Sequence, residues 1–386
     1  MKKVAFITPT FPVLSETFIR TEVDAISACG HDVCVMTFEK NKTDDAFNYA
    51  IYKIGDILNA NLLKRLSPRR VIDCLKFIYS QQSMPKFSLF WYSFKMASQM
   101  AKHNVQHIHA HFAQHTCSHG IASAKLMGVS CSFVAHGHDV YEFPFDLDLK
   151  IKHSDFVVAV CNDMRNDFNK IADGNIKLLH CGVKTQLFKP LKEQKQKHER
   201  IKLIFIGRLV EQKGVKYLLD ALKPLCGHYP ITLDIIGNGE LLKPLKEQVS
   251  ELGLAPYVRF LGSKQPNWIQ ENLPFYDCLV APFCFSHSGC VDTGPVVLKE
   301  AMAVGIPVIT SNIMGCKEIV APGTGYLVEQ KNALELADAI KTFVTLPIEQ
   351  RKEMGISARK NVELNFDALK QAKVLSNWIE THTVKQ

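Results

Sequence analysis

The sequence predicts an α/β protein of two doubly wound domains facing each other across a cleft. Three observations carry that expectation. The chain has 386 residues, more than one hydrophobic core usually serves, so two domains of somewhat under ~200 residues each are expected. Short runs rich in Val, Ile and Phe alternate with longer amphipathic stretches along both halves, the pattern of parallel sheets covered by helices on both faces. The alternation pauses once, in the polar stretch 190–200, and then restarts.

In the first half the predicted strands are 3–7, 32–37, 105–110, 131–135, 156–160 and 176–179. Between the first two, Ser15 is placed to cap a helix whose Ile19, Val23 and Ile26 share one face, and Gly30 is placed to end it. In the second half the predicted strands are 201–206, 232–236, 258–261, 278–281 and 307–310. The boundaries follow: a first domain over 1–188, a second over 189–366, and a closing helical stretch, 367–386, free to cross back to the first domain because no strand follows it.

Composition narrows the class. With 47% hydrophobic and 22% charged residues, 21 Gly and 17 Pro, the chain resembles average globular proteins and not disordered or fibrous ones. No run approaches the ~18 apolar residues of a membrane span. The apolar start is broken at Pro9 and Pro12 and reads as a buried strand, not a signal peptide. The twelve cysteines include no Cys-x-x-Cys pair, and the spacing of Cys278, Cys284 and Cys290 fits no common zinc pattern. Reduced thiols in a cytoplasmic protein are expected.

The formal charge of +8 is concentrated. Over 61–105, Lys64, Arg65, Arg69, Arg70, Lys76, Lys86, Lys95 and Lys102 face one acid, Asp73, and interleave with Phe77, Tyr79, Phe87, Phe90, Trp91, Tyr92 and Phe94. The segment suits an anionic membrane surface. It equally suits a helical subdomain with an aromatic core and a solvated basic face. No nucleic-acid motif accompanies the charge, so nucleic acid is not an expected partner.

The second half holds most of the chemistry. Gly207 and Arg208 follow a predicted strand, and Lys213-Gly214 precedes an amphipathic stretch; two cations five residues apart on a strand-to-helix loop can converge on a diphosphate. Pairing of Arg208 with Glu211 is the structural alternative. Gly237-Asn238-Gly239 follows the next strand, a glycine turn without the third Gly of a dinucleotide fingerprint, which argues against a nicotinamide enzyme. In 292–303, Gly294-Pro295-Val296 opens a helix whose free N–H groups can hold phosphate. Glu300 lies in its first turns and can accept from a ribose diol, while Asp292 in the preceding loop can accept from sugar hydroxyls.

These strings resemble family 4 of the retaining glycosyltransferases, with the GT-B fold of two Rossmann-like domains. Gly207-Arg208, Lys213-Gly214, Gly237-Asn238-Gly239, Phe260-Leu261-Gly262 and 295–303 fall in that family's order and spacing. In the first half, Phe11-Pro12 with Ser15-Glu16-Thr17-Phe18, His109-Ala110-His111-Phe112-Ala113 and His136-Gly137-His138-Asp139 look like the capsule, O-antigen (lipopolysaccharide) and colanic-acid type of bacterial polysaccharide transferase.

The resemblance implies a donor site built from Gly207, Arg208, Lys213, Gly237, Asn238, Gly262, Gly294, Pro295, Val296 and Glu300. Arg208 and Lys213 would hold the diphosphate, Glu300 the ribose, and Asp292 would lie near the donor sugar, in the place of a Glu one methylene longer. His136 would sit beside sugar and acceptor, with Glu16, His111 and Asp139 on the acceptor side. The implied donor is a UDP- or GDP-sugar, a substrate and not a cofactor. The implied acceptor is a saccharide or lipid-linked oligosaccharide at the inner face of the plasma membrane. Transfer would be metal-independent and retaining, with the leaving diphosphate helping to take the acceptor's proton and cleft closure excluding water.

His107, His109 and His111 alternate along one strand, and His115 and His119 follow. Zinc is the sharper hypothesis, but no carboxylate partner is readable in the sequence, so no metal site is expected. For Ser15 the helix cap is the expected role. A nucleotide-sugar epimerase or a non-catalytic protein of the same fold are the competing classes, since fold alone does not decide activity.

Overall fold

The computed structural model describes residues 1–43, 46–55, 60–191 and 200–382; of the polar stretch 190–200, residues 192–199 lie outside the described residues. The chain divides into two units, Met1–Gly182 with Ala368–Gln386, and Val183–Asp367.

The first unit is built on seven parallel strands: β1 Lys3–Phe11, β2 Asp32–Lys40, β3 Ala50–Lys53, β4 His107–His111, β5 Ser130–Val134, β6 Phe156–Ala159 and β7 Ile176–Leu178. Their spatial order is β3-β2-β1-β4-β5-β6-β7. The second unit has six parallel strands: β8 Ile201–Ile206, β9 Ile231–Ile236, β10 Val258–Gly262, β11 Cys278–Ala281, β12 Val308–Ser311 and β13 Gly325–Val328, ordered β10-β9-β8-β11-β12-β13. Both are doubly wound, Rossmann-like sheets. In each, the first strand lies between the second and the fourth. Connections leaving the first and fourth strands therefore part to opposite faces, and ligands of such sheets bind at this switch point.

Helices on both faces explain the continuous apolar runs: Val4 to Ile7 of β1 and every residue of β11 are buried. Two strands escaped the sequence pattern. β3 and β13 are four-residue edge strands whose residues are mostly half-buried or exposed, so neither carries an apolar run.

The first helix runs Thr17–Ala28, and Gly30, at φ +97°, turns the chain out of it. Its N-cap is Glu16, with no side-chain cap bond, and Ser15 is exposed. The expected Ser15 cap is therefore corrected: Ser15 stands one residue too early to reach the first free N–H groups. The closing helix, Ala368–Thr381, belongs to the first unit. There Lys2 Nζ donates to the carbonyls of Ile379 and His382, and His31 Nε2 lies 2.8 Å from Ser376 Oγ. The sequence puts the first boundary at 188, whereas residues 183–188 are fastened to the second unit. Thr185 donates to Asp367 at 2.6 Å, and Arg359 donates to the carbonyls of Thr185, Phe188 and Ala303.

The basic segment 61–105 folds into helices Pro68–Ser80 and Lys86–Lys102. Their buried residues include Cys74, Phe77, Ile78, Leu89, Met96 and Met100. The aromatics do not form a shared core: Phe77 is buried, but Tyr79 is 72% and Phe87 79% exposed. Among the described residues, no helix is long and apolar enough to cross a membrane.

At the carboxyl edge of the second sheet, successive turns interlock through their backbones. Gly207 N–H donates to the Ile236 carbonyl and Gly237 N–H to that of Gly262, each at 3.0 Å. Gly237 has φ +140°, and a Cβ there would lie 1.8 Å from the Gly207 carbonyl oxygen. Gly237→Ala is accordingly expected to destabilise the second unit by roughly 2 kcal/mol or more. Denaturant unfolding followed by a probe in that unit checks this; an unchanged transition would show that the turns are not mechanically coupled.

Candidate active site

In the second unit the switch point lies between β8 and β11. The β8 loop carries Gly207, Arg208 and, through a short helical turn Glu211–Lys213, the cation Lys213. Gly214 follows at φ +68°, where a Cβ would lie 1.9 Å from the Pro282 carbonyl oxygen, so the β8 and β11 loops are in backbone contact. Cys284 N–H also donates to the Gln212 carbonyl at 3.0 Å. Their side chains meet as well. Lys213 Nζ lies 2.8 Å from Asp292 Oδ1 and 5.0 Å from the centre of the Phe283 ring. The second carboxylate oxygen, Asp292 Oδ2, is buried with no hydrogen-bond partner among the described residues.

Arg208 is exposed, and among the described residues its guanidinium has no partner. The alternative pairing with Glu211 does not occur: Glu211 takes His287, accepting from its backbone N–H at 3.1 Å and meeting its ring. Pro295 occupies the N-cap of helix Val296–Ala303, one position before the expected one, and no side chain caps the helix. Its first N–H groups thus lack a side-chain cap among the described residues, directly after the loop that holds Asp292, Thr293 and Gly294. Gly315 N–H donates to the Thr293 carbonyl at 3.0 Å and holds that loop in place. Glu300, on the second turn, is half-buried, and desolvation pushes its carboxyl up to about 7. Asn238 supports the adjacent turn, where its carbonyl accepts the Leu209 N–H at 2.9 Å. Gly262 ends β10 at φ +68° with open space around its Cα.

In the first unit, the loops after β1, β4 and β5 gather the other predicted residues. His136 is half-buried just beyond β5, its ring 4.4 Å from that of Phe18 and stacked on His111 at 5.3 Å. His111 Nδ1 lies 3.1 Å from His136 Nε2. Burial, with each other's proximity, pushes His136 well below the usual imidazole range, and burial lowers His111 too, so both are neutral near pH 7. Asp139 is fully buried and accepts the N–H groups of Ala113 at 2.6 Å and His136 at 2.9 Å. Its carboxylate therefore ties the β4 and β5 loops together and sets the place of His136. Glu16 caps the first helix by position, on the β1 loop.

One residue was missed. Glu22, on helix Thr17–Ala28, turns inward onto β4, 3.2 Å from His109 Nε2 and 3.4 Å from His111 Nε2. The signal was present: Glu22 falls three residues after Ile19 and four before Ile26, on the apolar face. The remaining histidines separate. His107 bonds Ser130 and Ser132, His119 lies 3.2 Å from Ser93 Oγ, and His115 is exposed.

Two family models match the chain in tandem, Glycosyltransferase Family 4 over residues 15–187 and Glycosyl transferases group 1 over residues 188–361. The chain is a family 4 glycosyltransferase of the GT-B fold. It is 25% identical, over 95% of its length and 96% of the relative's, to WcaL of Escherichia coli, named for colanic acid biosynthesis. It is 24% identical, over 95% of its length and 96% of the relative's, to the amylovoran biosynthesis glycosyltransferase AmsK of Erwinia amylovora. The fold matches that of Anabaena HepE, solved in complex with UDP-glucose, at TM-score 0.73 and 18% identity over 99% of this chain and 100% of that one.

For the glycosyltransferase, the raised Glu300 carboxyl has a measurable consequence. A folded-state value near 7 against an ordinary 4.5 means the folded chain holds a proton that the unfolded chain has lost. The stabilisation is fully present below about pH 4.5 and is lost as pH rises through about 7, by at most about 3 kcal/mol. In the ligand-free enzyme, Glu300→Gln is expected to flatten stability between pH 5 and 8 and to leave the variant more stable than wild type at pH 8. Parallel pH-dependent melts of both proteins check it; identical profiles would place the proton elsewhere.

Proposed function

We propose that the enzyme transfers a hexosyl group, with retention, from a UDP- or GDP-sugar to a saccharide acceptor carried on a lipid, in assembly of a bacterial surface polysaccharide. The carrying observation is the Lys213–Asp292 contact, 2.8 Å long, which joins the β8 and β11 loops at the switch point, with Arg208 exposed on the same β8 loop. Two cations on the strand ends, with the uncapped helix Val296–Ala303, form a cradle for a diphosphate. The names of WcaL and AmsK support the polysaccharide product. HepE, solved with UDP-glucose, supports the donor class.

In the proposed reaction the bond between the anomeric carbon and the diphosphate oxygen breaks, and the acceptor hydroxyl oxygen bonds that carbon on the same face. The hydroxyl proton passes to the departing diphosphate. No divalent ion is needed there, because Arg208 and Lys213 supply the positive charge as it leaves. Lys213 keeps one donor on Asp292 and turns others to the diphosphate. Glu300 accepts from the ribose, and neutral His136 presents a ring nitrogen, not a charge, to the sugar or acceptor. The nucleotide sugar is a substrate, and no cofactor takes part.

Arg208→Ala and Lys213→Ala are each expected to lower turnover about a hundredfold or more, roughly 3 kcal/mol of transition-state stabilisation. The assay pairs a thermal-shift screen of UDP- and GDP-sugars with transfer to lipid-linked acceptors. Near-normal turnover in both variants sinks the assignment, and donor consumption without any acceptor would identify an epimerase.

We place the enzyme at the cytoplasmic face of the plasma membrane, attached through the segment 61–105. Arg69, Ile72, Lys76 and Tyr79 form an exposed stripe on helix Pro68–Ser80, and Phe87 and Trp91 are exposed one turn apart on the next helix. Arg70 is less available, since its guanidinium donates to the Arg65 carbonyl at 2.7 Å. Replacing Lys64, Arg69 and Lys76 by Gln is expected to weaken binding to anionic vesicles by roughly a hundredfold, at ~1 kcal/mol per charge. Flotation assays that show equal binding by the triple variant would refute the attachment.

A further inference from the structure

The histidines of β4 have a feature that sugar transfer does not use. Glu22 Oε1, His109 Nε2 and His111 Nε2 lie within 4.8 Å of one another, all three atoms are buried, and none has a hydrogen-bond partner among the described residues. The other ring nitrogens explain the orientation. His109 Nδ1 lies 2.8 Å from Ser132 Oγ, which lies 2.8 Å from His107 Nε2, and His107 Nδ1 lies 2.7 Å from Ser130 Oγ. This chain is satisfied when His109 Nδ1–H donates to Ser132, Ser132 to His107, and His107 Nδ1–H to Ser130. On the other side His111 Nδ1 lies 3.1 Å from His136 Nε2 and, protonated, donates to it. In these tautomers both Nε2 atoms present lone pairs to the carboxylate oxygen, whereas the reversed tautomers would turn both Nε2–H groups to Glu22. With the lone pairs inward, three acceptors stand at contact distance and only a cation between them removes the repulsion, which is the arrangement a bound metal ion selects.

We propose that Glu22, His109 and His111 bind a divalent transition-metal ion, zinc by the chemistry of the donor set. Ligands at ~2.0–2.1 Å in a tetrahedral site stand about 3.3–3.4 Å apart, and the two carboxylate-to-imidazole distances are 3.2 and 3.4 Å. Two imidazoles and one carboxylate suit zinc. Each imidazole is held by its remaining nitrogen, as the ligands of a metal site are. A small pocket lined by Phe18, Thr21, Glu22, His180 and Cys181 reaches the carboxylate and gives an ion a way in. The ion would fasten helix Thr17–Ala28 to β4 and, through His111, fix the ring of His136. It lies in the first unit, whereas the residues proposed to hold the diphosphate belong to the second, so its presence or absence does not decide the donor site.

The full chain, purified without a metal-binding tag, is equilibrated with zinc, freed of excess ion and analysed by mass spectrometry and zinc X-ray absorption. The expected result is about one zinc per chain, with a nitrogen and oxygen shell of two imidazoles. Replacement by cobalt should give visible bands of low coordination number. Glu22→Gln is expected to lower retained metal at least tenfold, while His138→Ala, at an exposed histidine 2.7 Å from Glu142, retains it. Wild type holding under a tenth of an equivalent, a sulfur-containing shell, or retention unchanged in Glu22→Gln would each overturn the site. The absorption measurement on wild type stands even if the Glu22 variant fails to fold.

Discussion

In both sheets the first strand is pinned between the second and the fourth, and the chemistry collects where the connections from those strands part. The parallel register leaves the N–H and C=O groups of the strand ends to be met by turns, not by further strands. In the second unit those turns are packed against one another so closely that a methyl group at Gly214 or Gly237 would overlap a carbonyl oxygen. Rigid backbone at that edge holds Arg208, Lys213 and Asp292 in place before any ligand is present.

Charge at this edge is balanced rather than saturated. Lys213 already has a carboxylate, and its ammonium lies over Phe283, so it is held at its site by a partner and a ring. Among the described residues Arg208 has neither, and it is exposed. Asp292 is one methylene shorter than the Glu that the resemblance leads one to expect, yet it reaches Lys213. Its second oxygen is left buried with no hydrogen-bond partner among the described residues. Glu300 is desolvated on its helix and keeps its proton to about pH 7.

The first unit uses burial for another purpose. A row of imidazoles runs from His107 to His136; His107 and His109 meet serines of the adjacent strand, and His111 meets His136 just beyond it. Burial lowers His107, His111 and His136 below the usual imidazole range, so these rings order hydrogen bonds without stacking like charges. Asp139 closes its outer end by taking two backbone N–H groups, and Glu22 closes it from the helix side.

The sequence alone determined the two-sheet architecture, because doubly covered strands must be apolar throughout and the helices between them amphipathic. It also placed Arg208 and Lys213 on the loop after one strand, Asp292 on the loop after another and Glu300 in the helix that follows, since such loops are punctuated by Gly and Pro. It could not show the edge strands β3 and β13, which lack a buried face to leave a pattern. It misplaced the Ser15 cap by one residue, a distance that only backbone dihedrals decide. Glu22 meeting His109 and His111 was decided by tertiary structure alone: residues some 90 positions apart in the chain become neighbours when a helix is laid across a sheet. Local pattern records which face of a helix is inward; only packing decides what waits there.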